Sequence, residues 1–439
     1  MKKVQTKSAA SELITPLRFC VFDLETTGGN QEHDQIIEIG LVIIEELKIV
    51  DQMSSLIRPT VKIPDFVQKL TSIRPRDLKK EPAIEEMIDQ ICEFMGDSIL
   101  VAHNTSFDIP FFNSVLTRLG RPPLENPSIC TNLMTKYLIP NLMNTNLNYM
   151  SKIFGIKHRK AHRALDDAMA TAQLLINYLH IFIDKRITKL NHIYYPRNRY
   201  ELDRINLSSD EYSANEVVRH IQKISVPHLI SIKGEKGVIL YALPCINGQD
   251  EQSTLFEQLT TLNWKIVSIR LFGTLLEGVI HFNTLFSKLT PLKRQEIVEH
   301  LYATHLPALE EKKRRQNENK LPQFIVVPHL VPEQYLIYPL QMLNNRSALT
   351  FRYPAHQKKL MQFIRSRSSR MGDSKKKNIE LPVQLQDFIF NSIWKDKTSP
   401  QLLLFDGHLP LETPQKFHAK MEQLIKQGGL AYSYPREHI

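Results

Sequence analysis

The chain has 439 residues, of which 42% are hydrophobic and 23% charged, with a formal net charge of +10. This composition is that of an ordinary globular protein of two or three domains. Four cysteines without Cys-x-x-Cys spacing argue against structural zinc and a disulfide framework, and the sequence lacks an apolar run of about 18 residues that could span a membrane. The basic start lacks the apolar stretch of a secretory signal, so we expect a cytoplasmic protein without membrane contact.

The positive charge is concentrated in the second part of the chain. Residues 1–184 carry 20 Lys/Arg and 22 Asp/Glu, a net of −2, whereas the remainder carries 36 and 24, a net of +12. A basic region of this kind attracts a polyanion such as nucleic acid, but an ordinary basic surface gives the same count. Composition alone leaves both interpretations open.

The first part of the chain predicts an α/β fold. Strands are predicted from apolar runs and alternation at residues 17–24, 36–44, 47–58 and 98–102. Helices are predicted at residues 83–95, 107–119, 144–154 and 162–183. Strands first and strand–helix alternation afterwards indicate a mixed sheet flanked by helices, which we assign to one domain at residues 17–185. Residues 1–16 are an N-terminal extension.

The pattern changes after residue 185. Residues 186–225 are polar and aromatic and predict a linker. Residues 226–439 predict a basic C-terminal region of unassigned α+β fold, with β-like stretches at 229–232, 238–242 and 266–272 and a helix at 251–262. Charged residues 309–320 leave open a division of this region near 310–320, and basic residues 365–377 mark a second weak spot.

Two acids end the first predicted strand, within the segment Phe22–Gly28. Asp23 and Glu25 are two residues apart, so their carboxylates project from the same face of a strand. Like charges this close repel, and burying them unpaired costs several kcal/mol or shifts their pKa values. A divalent cation removes that repulsion. The motif therefore predicts a metal site if acids from later segments of the chain lie beside Asp23 and Glu25.

Two later segments supply such residues. Asp108 lies in the first turn of the helix that follows strand 98–102, where the helix dipole alone also favours an acid. His162, Asp166 and Asp167 open a later helix. Each feature is weak separately, but their combination in this order favours a catalytic cage.

These segments resemble the DnaQ-like exonucleases with four acids and a histidine, the DEDDh family, which includes proofreading subunits of bacterial DNA polymerases. The resemblance covers residues 17–182 and implies a ribonuclease-H-like fold. The matching stretches are Phe22–Gly28, Asp34–Gly40, Ser98–Asp108 and His162–Asp167. The chain departs from the family at Ser72, where a glycine is common after Leu-Thr, and at Cys130-Thr131, where Asp-Thr is frequent.

The resemblance also implies roles for individual residues. The ligands of two Mg²⁺ or Mn²⁺ ions would be Asp23, Glu25, Asp108 and Asp167, since hard oxygen donors suit these cations. His162 would accept the proton of the attacking water as general base. Contacts to the terminal nucleotide would come from Thr26, Thr27, Asn104 and Phe107, although packing in the core is an equal alternative for Phe107.

Helix geometry does not settle the last ligand. In a helix that begins at His162, Asp166 at position i+4 lies nearer the histidine's face than Asp167 at i+5. The family spacing instead matches Asp167, and a histidine on the loop before the helix would remove the objection. We therefore expect Asp167 to be the ligand.

The sequence thus predicts a metal-dependent 3′–5′ exonuclease that releases nucleoside 5′-monophosphates from single-stranded or frayed DNA ends, in DNA replication or repair. The form Glu25-Thr26-Thr27-Gly28 resembles the DNA branch of the family more than the oligoribonuclease branch. RNA 3′-end exoribonuclease activity and a non-catalytic nucleic-acid-binding scaffold stay open as alternatives. A GIY-YIG nuclease signature, sought around Gly237–Tyr241, is not convincing, and we expect the C-terminal region to bind nucleic acid or a replication or repair protein.

Overall fold

The computed structural model describes residues 14–139, 142–158, 161–185, 187, 189–190, 193, 202–249, 252–305, 323–340, 348–371, 402–406 and 408–427. The chain divides into two compact units, with the boundary between Glu201 and Leu202. The expected division near 310–320 and most of the N-terminal extension lie outside the described residues. Within them, no helix has both the length and the apolar character needed to cross a bilayer.

The first unit contains a five-stranded sheet with the order β3-β2-β1-β4-β5. The strands are β1 (Phe19–Thr26), β2 (Ile36–Glu45), β3 (Lys48–Leu56), β4 (Ile99–Ala102) and β5 (Ser128–Cys130). Strand β2 runs antiparallel to β1 and β3, whereas β4 is parallel to β1 and β5 is parallel to β4. This mixed sheet, flanked by helices, is ribonuclease-H-like, and the predicted fold class is confirmed.

Seven helices of the first unit are described. They are α1 (Asp65–Thr71), α2 (Pro75–Leu78), α3 (Ile84–Met95), α4 (Thr105–Arg118), α5 (Thr131–Leu138), α6 (Leu147–Ile153) and α7 (Ala164–Asp184). The four predicted helices correspond to α3, α4, α6 and α7. Sequence patterns missed α1, α2, α5 and β5, which have three to eight residues. Helix α6 and strand β4 are as short and were predicted, so length alone does not account for the missed elements.

Burial explains why the first two strands are apolar without alternation. Nine consecutive residues of β2, from Ile36 to Ile44, are buried, and so are the first four of β1. A strand covered on both faces reads as a continuous apolar run, whereas the edge strand β3 has no buried residue. Strands β1 and β2 are interior strands of the sheet.

The second unit contains two four-stranded antiparallel sheets, ordered β6-β9-β7-β8 and β12-β11-β10-β13. The strands are β6 (Arg204–Ser208), β7 (His228–Lys233), β8 (Ile239–Cys245), β9 (Ile266–Leu271), β10 (Phe324–Pro328), β11 (Tyr335–Pro339), β12 (Leu349–Phe351) and β13 (Leu403–Phe405). The helices are α8 (Ala214–Gln222), α9 (Gln252–Thr261), α10 (Leu275–Phe286), α11 (Pro291–His305), α12 (Gln357–Met371), α13 (His408–Glu412) and α14 (Pro414–Gln427). The predicted α+β content agrees with this arrangement.

The structure corrects two predictions for the second unit. The expected linker at 186–225 contains β6 and α8, and α8 buries three apolar residues behind a capping box formed by Ser213 and Glu216. Helix α12 runs through the first half of the expected weak spot at 365–377. The three buried apolar residues of α8 have helical spacing, which the many polar residues around them obscure in the sequence. Helix α12 has 15 residues, so the basic residues 365–371 are its C-terminal part rather than a break.

Candidate active site

The site begins at the end of β1. Asp23 and Glu25 lie on this central strand, and Glu25 pairs across the sheet with Glu38 of β2. Strand β4 runs parallel to β1 and leads directly into α4, so Asp108, in the first turn of α4, comes to the same edge of the sheet. The Asp108 carboxylate is 5% exposed and accepts the backbone N–H of Leu24. The chain thus brings Asp108 beside Asp23 and Glu25.

The third segment reaches the same edge through helix α7. Ligand atoms of Glu25, His162 and Asp167 all lie within 4.8 Å of one another. Helix α7 begins at Ala164, so His162 lies on the preceding turn, and its backbone N–H donates to Asp167 Oδ2 at 2.9 Å. The geometric objection to Asp167, which assumed that the helix begins at the histidine, therefore does not apply. Asp166 is partly exposed and acts electrostatically on Arg163.

Burial and mutual repulsion make the site unfavourable for four negative charges. Burial raises the pKa of Glu25 to about 8, with repulsion from Asp167 adding to it, and raises the pKa of Asp108 to about 7. Burial, followed by repulsion from Asp108, raises the pKa of Asp23 well above its usual range. The pKa of Asp167 is also raised, chiefly by burial, although His158 opposes the rise. A cation between these carboxylates would favour their charged forms.

The donor set fits a hard divalent cation. Carboxylate oxygens from three separate segments converge, and an imidazole lies beside two of them. Mg²⁺ and Mn²⁺ prefer oxygen donors, whereas the thiolate-rich set that selects softer metals is absent among the described residues of this site. The arrangement can therefore hold a metal ion and present a base beside it.

The residues expected to contact a nucleotide differ in their availability. Asn104 is exposed at the start of α4, and its Oδ1 accepts from Ser106 Oγ at 2.8 Å. Thr26 is partly buried and donates to the carbonyl of Gly28. Thr27 is 1% exposed, and its hydroxyl donates to Asp34 and accepts from Gln35 N, so it shapes the turn rather than facing a ligand. Phe107 packs in the first unit's core, with its ring 5.6 Å from that of Phe111.

Sequence reasoning missed three residues beside the site. His158 Nε2 lies 2.5 Å from Asp167 Oδ1, and its side chain is 6% exposed. Glu38, 2% exposed, pairs with Arg163. No sequence period marks His158, which lies on a loop. Glu38 did leave a signal, because a lone acid inside the apolar run Ile36–Ile44 must be buried and must have a partner.

The two departures from the family pattern lie at the end of α1 and at the start of α5. Ser72 ends α1 with φ of +62°, the left-handed conformation that a glycine would adopt without strain. Thr131 is buried, and its hydroxyl lies 3.0 Å from His103 Nδ1. The ring of His103 also lies 2.8 Å from the carbonyl oxygen of Thr145, so His103 ties β4 to the α5–α6 segment.

Comparisons with known proteins relate the sequence of the first unit to exonucleases and polymerase subunits. The RNase_T exonuclease model matches residues 20–175. The DNA polymerase III subunit epsilon of Aquifex aeolicus is 35% identical over 161 residues, which are 37% of this chain and 80% of that protein. A PolC-type DNA polymerase III of Clostridium perfringens is 42% identical over 157 residues, 36% of this chain, and the chain spans only 11% of that relative. A solved structure of exonuclease X in complex with 5′ overhanging duplex DNA is 29% identical and covers 36% of this chain and 89% of its own, with a TM-score of 0.31.

Proposed function

We propose a function from the premise that this chain belongs to the RNase_T family of exonucleases. Its first unit acts as a metal-dependent 3′–5′ exonuclease that releases nucleoside 5′-monophosphates from single-stranded or frayed DNA ends. The process it serves is DNA replication or repair in the cytoplasm, with a replication or repair protein as a further partner. The observation that carries the proposal is the convergence of acids from β1, α4 and α7 beside His162.

Each residue of the site has a distinct task in this proposal. The carboxylates that hold two Mg²⁺ or Mn²⁺ ions are those of Asp23, Glu25, Asp108 and Asp167. The ions supply activation of the attacking water and stabilisation of the leaving 3′-oxygen. His162 is exposed to solvent and accepts the proton of the water, a task suited to an imidazole near neutral pH.

Asn104 and Thr26, two of the residues expected to contact the nucleotide, bind the last nucleotide in this proposal. Asn104 presents an exposed amide at the N-terminal end of α4, where backbone N–H groups also favour an anionic phosphate. Thr26 lies at the end of β1, next to Glu25. Thr27 and Phe107 act indirectly, through the shape of the turn and the packing of α4.

The direct test uses single-stranded DNA labelled at one end. With a 3′-terminal label, Mg²⁺-dependent release of labelled mononucleotide at the earliest times is expected. With a 5′ label, a ladder that shortens from the 3′ end is expected. Internal cuts or release from the 5′ end would contradict the proposal, and DNA binding without cleavage would favour the scaffold alternative. Matched DNA and RNA strands in the same assay decide between the two substrates, and we expect faster cleavage of DNA.

The second unit carries a surface that suits a nucleic-acid backbone. On the sheet β6-β9-β7-β8, pairing places Arg204 opposite Arg270 and Asn206 opposite Ser268 on one face. Lys233 of β7 lies on that face too, since its Nζ donates to Ser268 Oγ at 2.9 Å. We use the name basic strip for six residues: Arg204, Asn206, Lys233, Ser268, Arg270 and Lys288. Lys288 is included because it lies close enough to Lys233 to lower the pKa of that lysine.

The charges of the basic strip are mostly of one sign. Asp203 lies 3.5 Å from Arg270 Nε, and Arg204 and Lys288 each lie close enough to Lys233 to repel its charge. Burial and this repulsion lower the pKa of Lys233. A chain of phosphates would relieve the repulsion, and four residues along β9 extend about 13 Å. We propose that the basic strip binds the phosphate backbone of a single strand without reading its sequence.

Charge-neutralising variants test the basic strip. The double variant Lys233→Gln and Arg204→Gln should weaken binding of fluorescent single-stranded DNA by roughly tenfold at moderate salt and reduce the slope of log affinity against log salt by about 1 to 1.5. A matched control, Lys79→Gln with Lys80→Gln on the exposed turn after α2, should leave both values unchanged. An equal effect of the two pairs would contradict the proposal.

A further inference from the structure

Glu38 is a buried acid beside the site that the proposed reaction does not use. It lies on β2, directly opposite Glu25 of β1, and is 2% exposed. A buried carboxylate is costly unless charged and hydrogen-bonding partners compensate it. Its partners therefore indicate what it is for.

Among the described residues, all hydrogen-bond partners of the Glu38 side chain come from the two residues that follow His162. Arg163 donates from Nε to both carboxylate oxygens at 3.1 Å and from Nη2 to Oε1 at 2.7 Å. The backbone N–H of Ala164, the first residue of α7, donates to Oε2 at 3.0 Å. The planar guanidinium matches the carboxylate, so this contact restrains orientation as well as distance.

The turn that Glu38 holds has an unusual conformation. His162 has φ of +63°, which costs a non-glycine residue about 1 kcal/mol or more and persists only where the surroundings enforce it. Asp167 holds the N–H of His162, and Glu38 holds the next two residues. The turn is therefore fixed from two sides.

Gly40 allows the strand to approach this turn closely. It lies two residues after Glu38, on the same face of β2. A Cβ atom at this position would lie 2.4 Å from the carbonyl carbon and oxygen of Ala164. Only glycine fits, so Glu38 and Gly40 together seat the start of α7 against the strand that neighbours β1.

We propose that Glu38 is a positioning residue, which fixes His162 and the start of α7 relative to Asp23 and Glu25 through its bonds to Arg163 and Ala164. The inference rests on the proposed function, in which His162 is the base. Glu38 does not touch the substrate. It acts by keeping the imidazole at a fixed place beside the carboxylates, and a small displacement of a catalytic group has a large effect on rate.

Two conservative variants test this role in the full-length protein. Glu38→Gln keeps the size of the side chain but loses the charge, and Arg163→Lys keeps the charge but loses the planar fork. Each should lower kcat on single-stranded DNA about tenfold or more and change KM less than threefold. The control is Glu45→Gln, the same substitution at the exposed end of β2, which should leave kcat unchanged.

A double-mutant cycle separates positioning from general destabilisation. If Glu38 acts through His162, then Glu38→Gln in a His162→Ala background should lower kcat less than twofold, measured at high enzyme concentration. The same tenfold fall in both backgrounds, or wild-type kcat for Glu38→Gln, would overturn the inference. An inactive wild-type protein would instead refute the proposed function.

Discussion

The carboxylates of the first unit and the basic strip of the second are two collections of like charge with opposite sign. Burial is the largest cause of the pKa shifts in both regions. Repulsion between the carboxylates raises their pKa values further in the first, and the neighbouring cations lower the pKa of Lys233 further in the second. A counterion would relieve the repulsion in both places: under the proposed function it is a divalent metal in the first and phosphate in the second. Charges of one sign gathered in one place thus suggest the kind of ligand that each region takes.

The two regions differ in burial, and this determines how each responds to its surroundings. Asp108 is 5% exposed, whereas Arg204 and Lys288 are exposed to solvent. Buried charges interact through a low dielectric and are little screened, whereas exposed charges lose their influence beyond about 10 Å at 0.1 M salt. Geometry therefore matters more in the acidic site, and ionic strength matters more in the basic strip.

The largest effect should come from removing one charge of the acidic site. Asp23→Asn should lower exonuclease activity by at least about 10³-fold, because the stabilisation supplied by a correctly held metal is worth several kcal/mol. The protein should stay folded, since the variant removes a repelling charge. Single-turnover cleavage and circular dichroism measure the two outcomes. Asp51→Asn on the exposed strand β3 is the matched control, and equal cleavage by both variants would contradict the role of the acidic site.

The next effect distinguishes two neighbouring acids of α7. Asp167→Asn should lower kcat by at least about 10²-fold, because the Asp167 carboxylate lies among the ligand atoms. Asp166→Asn should change kcat less than about threefold, since it removes a partly exposed charge. A dead Asp166 variant beside an active Asp167 variant would reverse the assignment.

Salt should separate the two regions without any mutation. Raising monovalent salt from about 50 to 200 mM should raise KM for a long single strand roughly tenfold. This is the salt dependence expected for a complex with two or three phosphate contacts. The turnover number should change less than about twofold, because the buried site is little screened. Steady-state kinetics on a long and a very short substrate measure KM and the turnover number. A KM that is independent of salt for both substrates would contradict the contrast between the acidic site and the basic strip.

The smallest effect concerns pH and the metal-free protein. Because Glu25 and Asp108 have folded-state pKa values of about 8 and about 7, above their ordinary values, their contribution to stability is present at low pH and is lost as pH rises toward 8. The Tm of the wild-type protein in chelator should therefore fall by several degrees between about pH 5 and 8. The Tm of the Glu25→Gln variant should fall by less over the same range. Excess Mn²⁺ should remove most of the fall, since metal binding stabilises the charged forms. Parallel pH profiles for the wild type and Glu25→Gln would speak against this explanation.

The parts of the site that could be predicted are those encoded over a few residues. The pair at positions 23 and 25 follows from strand geometry, and Asp108 follows from a strand that leads into a helix. The contact of Arg163 with Glu38 joins residues 125 positions apart, and no local period encodes it. His158 lies only nine positions before Asp167, but it lies on a loop, where no period of the sequence marks it.

The fold shows the same division between local and long-range information. Long buried strands such as β2 and the 21-residue helix α7 have patterns that identify them directly. The described strands of the second unit have three to seven residues, and pairs such as β6 with β9 and β10 with β13 join strands that are far apart in the chain. Its sheet order therefore depends on packing between distant segments, which a single sequence does not display.

The order of elements in the first unit has a consequence for synthesis. Asp23 leaves the ribosome early, but Asp167 belongs to α7, the last helix with a described range in the unit, so the proposed site is assembled from segments far apart in the chain. At about 5–20 residues per second, the interval between them is on the order of 10 s. During that time β1 lacks α7, which packs against it. Under the proposed function, a nascent chain that stops short of α7 lacks Asp167 and should not cleave nucleic acid.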